Sequence, residues 1–237
     1  MPTVQPLVTA IRAGRLNYEA GLRLQQQFAK QNVKQYAEFR NYLLLMEHDP
    51  VYTIGIRTKG YTAEDEERLR KLGADFHRTD RGGLITFHGP GQLVAYPIIH
   101  LRQFTPSIRW YVNTLERTII ETCRRLGIAN ATTTADTGIW IGDKKICAIG
   151  VHGSRYVTTH GIGLNCSTDL KWFEHIVPCG IEGKGVTTLS EQLGHQVTVS
   201  DAIATFLQSF ASVFKCDVQE QTDKESSQIS NIKTNVI

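Results

Sequence analysis

The sequence predicts an α/β fold, one body built on a mixed sheet. Three observations lead there. Strand-length apolar runs interleave with amphipathic helices along the 237-residue chain. Hydrophobic residues make up 41% and charged residues 21%, a globular balance that excludes collagen, a coiled coil and wholesale disorder. No apolar run approaches the roughly 18 residues that a membrane span needs.

Each element has a local reason. Residues 4–11 read as a first strand. The same stretch, with Arg12 and Arg15 and no acid before Glu19, also has the composition of a weak mitochondrial leader. Residues 19–30, rich in Leu, Gln, Lys and Arg, form a helix. Residues 41–47 are a buried strand, turned by His48-Asp49-Pro50, and residues 51–56 continue in β. Thr62 caps a helix over 63–72, with Asp65 three residues on and Gly73 at its end. Residues 84–87 and 93–99 are strands around a glycine-proline turn. Ser107 opens the strongest helix: Ile108, Tyr111, Val112, Leu115, Ile119, Ile120, Cys123 and Leu126 share one face, and Gly127 ends it. Residues 138–141 and 145–151 flank Gly142-Asp143-Lys144 as a hairpin. A strand over 156–165 follows a turn at His152-Gly153-Ser154. Ser200 caps a last helix whose apolar face is Ile203, Phe206, Leu207, Phe210, Val213 and Phe214. Residues 217–237 are polar and lack aromatics, so they read as a disordered tail behind a single domain over 1–216.

Net charge is +3. The tail, with 2 basic and 4 acidic residues, carries −2; residues 1–216, with 24 and 19, carry +5. A charge this small does not mark a nucleic-acid binder. Five cysteines stand at 123, 147, 166, 179 and 216 with no Cys-x-x-Cys pair, which argues against a disulfide framework and a zinc site. Reduced thiols are expected.

Four segments could carry chemistry. The first is Arg81-Gly-Gly-Leu-Ile-Thr-Phe-His-Gly-Pro-Gly-Gln92. Its glycines permit close approach of a ligand to backbone. Arg81 could meet a phosphate or carboxylate bidentately, and His88 could orient an acyl carbonyl or move protons. Two ordinary turns around a strand are the other reading. The second is Val177-Pro-Cys179-Gly-Ile181, a thiol off any apolar stripe; a nucleophilic Cys there needs a nearby base or cation. The third is Lys144-Lys145-Ile-Cys-Ala-Ile-Gly150, where Lys144 suits a solvated turn and Lys145 could point into a site. The fourth is Thr159-His160-Gly-Ile-Gly163-Leu-Asn165, where His160 is a structural histidine or a partner for the thiol. On chemistry alone Cys179 pairs with His160, or with His175 four residues upstream.

Taken in order, these motifs resemble the lipoyl(octanoyl) transferases, the octanoyl-[acyl-carrier-protein]:protein N-octanoyltransferases. The resemblance covers about residues 41–214, and the stretch from Leu164 to Gly180 is similar to animal, mitochondrial members. It implies the fold of lipoate and biotin protein ligases: a mixed sheet flanked by helices, with a smaller second sheet. It implies that Cys179 carries the acyl thioester, and that Lys145 lowers the thiol pKa and acts as general base in place of a histidine. Arg81, Gly82, Gly83, Leu84, Ile85, Thr86, Phe87 and His88 match substrate-binding positions. So do Ala148, Ile149 and Gly150, and Gly161, Ile162 and Gly163, with His160 and Asn165 as supporting residues. Cys147 departs from the alanine common there, and the tail is extra.

The donor expected is octanoyl-acyl carrier protein, whose phosphopantetheine arm arrives with the substrate. The acceptors are lipoyl domains of the glycine cleavage H protein and 2-oxoacid dehydrogenase subunits. No separate cofactor, metal, nucleic acid or membrane is called for. The expected state is a monomer in mitochondria, or in the cytoplasm for a bacterial-type member. Two rivals remain at this point: an ATP-dependent ligase of the same fold, and a non-catalytic protein that binds acyl groups or lipoyl domains.

Overall fold

The computed structural model describes residues 5–31, 34–58, 61–176 and 184–221. Twelve strands and five α-helices follow in chain order: β1 (Leu7–Leu16), α1 (Tyr18–Ala29), β2 (Asn41–His48), β3 (Val51–Ile54), α2 (Ala63–Lys71), β4 (Asp75–Arg78), β5 (Thr86–His88), β6 (Gln92–Ile98), α3 (Ile108–Arg125), β7 (Ala131–Thr132), β8 (Ile139–Ile141), β9 (Lys144–Ser154), β10 (Val157–Asn165), β11 (Gly185–Val186), α4 (Leu189–Leu193), α5 (Val199–Phe214) and β12 (Asp217–Glu220).

The main sheet runs β12-β1-β2-β6-β10-β9-β8-β7, with β11 on the free edge at the start of β9. The β12-β1-β2 pairs and β11-β9 are parallel and the rest antiparallel, so the sheet is mixed as expected. Central strands are apolar throughout because both faces are covered, and alternation sorts their side chains. Leu43 and Leu45 join α3 and α5 in one core, while Leu44 and Met46 join α1 in another. A small sheet, β4-β3-β5, sits apart over a third core with Leu69, Phe173 and Ile176.

Both helix ends predicted around α2 hold: Thr62 and Asp65 form a capping box, and Gly73 has φ +89°. Other expectations need correction. The last helix is capped by Thr198, not Ser200, because Thr198 and Asp201 form a second capping box that starts the helix two residues earlier. The turn expected at His152-Gly153-Ser154 lies instead at Arg155-Tyr156, both left-handed (φ 50° and 67°), so β9 runs on through Ser154. On α3 the buried face includes Thr114, Thr118 and Thr122. Each hydroxyl donates to the carbonyl four residues back, so burial leaves no hydroxyl unpaired.

The proposed start of the tail is also wrong. Asp217–Glu220 pair with Leu7–Ala10, because extended backbone at the sheet edge gains hydrogen bonds whatever its polarity. The Asp217 and Gln221 N–H groups donate to Pro6 and Ala10 carbonyls, and Arg12 pairs with Glu220. The remainder of the expected tail, 222–237, lies outside the described residues.

Candidate active site

Three of the four predicted segments meet over the β9–β10 ladder. In register, Gly161 pairs with Gly150, Ile162 with Ile149 and Gly163 with Ala148. The segment 81–88 lies across these rungs: a Cβ on Gly150 would stand 3.0 Å from Arg81 Cδ, and one on Gly163 would stand 3.3 Å from His88 Nδ1 and 2.8 Å from Gln92 Oε1. A Cβ on Gly161 would collide with the Ala95 carbonyl. Glycine is therefore required for the segments to close on one another.

Between them lies a narrow slot with about 30 Å³ free, lined by Arg81, Gly83, Leu84, Thr86 and His88, by the ladder residues 148–150 and 160–163, and by Tyr18 and Tyr96. Ile85 and Phe87 do not line it; both are fully buried in the core of the small sheet. Gly83, Leu84, Ile149 and Gly150 also line a neighbouring space of about 300 Å³, the mouth, together with Arg57, Val112 and residues 135–137.

Arg81, which also lines the slot, is tied into the protein itself. Its Nη2 donates to Thr53 O (2.7 Å), Thr53 Oγ1 and Leu84 O, and its Nη1 to Gly82 O. A planar donor set aimed at backbone carbonyls fixes the glycine loop. His88 is held in one tautomer. Gln92 Nε2 donates to Asn165 Oδ1 (2.9 Å), so Gln92 Oε1 accepts, and His88 Nδ1–H must donate to it (2.7 Å). Asn165 in turn donates to Thr187 O. Burial, with help from His48, pushes the His88 pKa down to about 3. At neutral pH the ring is uncharged and offers Nε2 as an acceptor.

Behind Tyr96 the same logic repeats. His48 Nδ1–H donates to Leu16 O (3.0 Å), so Nε2 accepts the Tyr96 hydroxyl (2.9 Å). Burial lowers the His48 pKa to about 4. His160 is 2% exposed and left-handed (φ 56°). Its Nε2 lies 3.0 Å from Asp80 Oδ1, and burial outweighs that carboxylate to lower its pKa.

Lys145 is 4% exposed. Its Nζ donates to Thr137 O (3.1 Å) and stands 4.7 Å from the centre of the Trp140 ring, so the amine lies behind the mouth wall at Thr137. A Cβ at Gly138 would meet Lys145 Cε at 3.3 Å and the Cys147 carbonyl at 2.6 Å; glycine opens the lysine's path. Lys184 stands 4.8 Å from the same Trp140 ring and 3.5 Å from Asp136. His160 pairs with Val151, six residues along β9 from Lys145 or about 20 Å. The two cannot serve one thiol together. Cys179 lies outside the described residues; the chain resumes at Lys184, and Val186 of β11 pairs with Lys145. Cys123, Cys147, Cys166 and Cys216 are buried, and burial raises every one of their pKa values, so all four are inert packing thiols.

Sequence reading missed Tyr18, Tyr96, His48, Asp80, Thr137 and Trp140. The only local signal was Trp140 beside the hairpin glycines; the others arrive from distant elements. Among the described residues no group of three or more His, Cys, Asp or Glu could hold a metal, and no helix is long and apolar enough to cross a membrane.

Comparison with known proteins identifies the family and the fold. Residues 17–211 match the family model for the lipoyl protein ligase A/B catalytic domain. A Drosophila melanogaster relative is 69% identical, covering 96% of this chain and 98% of its own length. The octanoyl-[acyl-carrier-protein]:protein N-octanoyltransferase of Danio rerio is 53% identical, covering 91% and 96%. Both carry a mitochondrial designation. Lipoate-protein ligase A, solved with ATP bound, superposes with a TM-score of 0.72 at 17% identity over 97% of this chain and 94% of its own, which shows a shared fold. The chain belongs to the lipoyl protein ligase A/B catalytic family and, within it, to the octanoyl-[acyl-carrier-protein]:protein N-octanoyltransferases.

Proposed function

We propose that this chain moves an octanoyl group from octanoyl-acyl carrier protein to the lysine of a lipoyl domain through a thioester on Cys179, the first step of protein lipoylation. The observation that carries the reading is the placement of Lys145: a buried amine behind the mouth of a narrow slot. Each methylene buried in that slot contributes about 0.8 kcal/mol.

The chemistry closes in protons. Lys145, as the ammonium, holds Cys179 as thiolate; two unit charges about 4 Å apart at a partly wet site attract by on the order of 4 kcal/mol. The thiolate attacks the thioester carbonyl. The phosphopantetheine sulfur leaves and takes the Lys145 proton. The acceptor lysine, as free amine, then attacks the new thioester and gives a proton to the neutral Lys145 amine. Cys179 leaves as thiolate, and the starting pair is restored. The reaction requires no cofactor beyond the arm the donor brings. The chain acts as a monomer in mitochondria, and the +5 carried by residues 1–216 steers acidic partners toward it.

Intact mass after mixing with octanoyl-acyl carrier protein tests the proposal. One octanoyl group should add to the wild type, leave on addition of a lipoyl domain, and be absent in Cys179→Ser. An adduct in Cys179→Ser, or labelling that requires free octanoate and ATP, overturns it. Light scattering and import into isolated mitochondria check the assembly state and location.

A further inference from the structure

A second cavity is far larger than the slot. A cleft of about 770 Å³ opens between α1, the end of β4 and the β9–β10 turn. Comparing the two linings shows one shared residue, His160. The slot meets its mouth at residues 83–84 and 149–150, while Tyr18, Tyr96, His88 and His160, like Arg81, Thr86, Ala148 and residues 161–163, line the slot without bordering the mouth and form the rest of its wall. Of that wall, His160 alone has the open cleft behind it.

His160 is built as a partition. Alternation along β10 places its neighbours Thr158 and Ile162 toward α3: Thr158 bonds Pro97 O, as Tyr111 of α3 does, and Ile162 joins the α3–α5 core. The His160 ring instead lies 6.1 Å from Tyr96 and on Asp80, toward α1. Its left-handed backbone departs from the strand conformation of its neighbours, a state that costs a non-glycine residue energy and persists only when its surroundings hold it. They do so at three points: Gln25 Oε1 of α1 accepts the His160 N–H at 2.6 Å, Asp80 takes Nε2, and Tyr96 packs on the ring edge.

We infer that His160 is the stop that sets acyl-chain length, a partition between the acyl slot and the outer cleft. The inference rests on the slot being the acyl site, as proposed above. The 30 Å³ or so free in the slot is room for roughly one methylene, so the slot must widen to take a tail, and a wall that holds firm decides where the chain stops. One methylene in an apolar pocket is worth about 10- to 200-fold in discrimination. Removing the stop joins the slot to the cleft and gives longer tails somewhere to go.

The test is a chain-length series, hexanoyl to hexadecanoyl on acyl carrier protein, read as kcat/KM and as acyl-enzyme mass. His160→Gly suits the left-handed backbone. It should raise the dodecanoyl-to-octanoyl ratio at least tenfold. Asp80→Ala, at a side chain 64% exposed, releases the ring without touching the core and should move the ratio the same way by a smaller factor. His160→Phe, which thickens the partition, should move it toward hexanoyl. Should His160→Gly fail to fold, Asp80→Ala and His160→Phe decide. Normal octanoyl transfer by the wild type with an unmoved length profile in the folded variants overturns the stop alone. A wild type that forms no acyl-enzyme at any length overturns the acyl-slot reading and the stop with it.

Discussion

Acid should destabilise this protein well before its carboxylates titrate. His48 and His88 are buried neutral, with pKa values near 4 and 3 against about 6.5 in an unfolded chain. The sign follows from linkage: a folded-state pKa below the unfolded one means that the unfolded state binds more protons as pH falls. The stability is therefore fully present above pH 6.5 and is lost on the way down to about 4. Two protons give a slope of about 2.7 kcal/mol per pH unit once the unfolded rings are charged, and a total of about 4 kcal/mol between pH 7.5 and 5. Against the 5–15 kcal/mol typical of a domain, that is a large share. His160, also pushed down by burial, acts in the same direction. The carboxylates held low, such as Glu121 beside Arg124 and Arg125, respond only at lower pH. Urea unfolding at pH 7.5, 6.5, 5.5 and 5.0 measures the effect. His48→Gln can keep both partners, Leu16 O and Tyr96 OH, and should cut the loss to about half by removing one of the two protons. A wild-type stability that stays level from pH 7.5 to 5 would refute the buried neutral rings, and so would a His48→Gln slope equal to wild type.

Two further perturbations test the scaffold. Gly163→Ala drives a Cβ to 2.8 Å from Gln92 Oε1, where His88 must bond, so stability should fall by about 1–3 kcal/mol and acyl-enzyme formation should slow; a neutral outcome in thermal melts and single-turnover mass would show that the glycine is not required for closure. Truncation after Cys216 removes β12 and its bonds to β1, at about 1 kcal/mol per buried hydrogen bond. The melting temperature should drop by several degrees, and the bared β1 edge should promote aggregation in light scattering; a truncated chain that melts like the full one would make β12 dispensable.

Period and punctuation were enough to read most elements, because α2, α3 and the β8–β9 hairpin carry both their apolar face and their ends locally. What escaped reading depends on partners far away in the chain. Thr114, Thr118 and Thr122 look polar, and only the carbonyls of their own helix make them fit a core. Asp217–Glu220 look like tail, and only β1 makes them strand. The site divides the same way. Its glycines and Lys145 stand in recognisable local patterns, whereas Tyr18 and Tyr96 come from α1 and β6, and no spacing predicts that they close the slot. Arg81 stands in a recognisable pattern too, but sequence shows a cation and not the carbonyls that hold its guanidinium.

The glycine rungs carry an evolutionary consequence. At Gly161 and Gly163 even a methyl group collides with backbone or with a fixed side chain, and at Gly150 it would press on Arg81 and the Gly82 carbonyl, so these three positions resist enlargement. Variation in what the slot admits then falls to the other side chains that line it, Thr86, Ala148, Ile149 and Ile162 on the flanks and Tyr18, Tyr96 and His160 among the rest. A lineage drifting toward a new acyl group would keep these three glycines and change the side chains around them, and a laboratory library aimed at altered specificity gains most by leaving those glycines untouched.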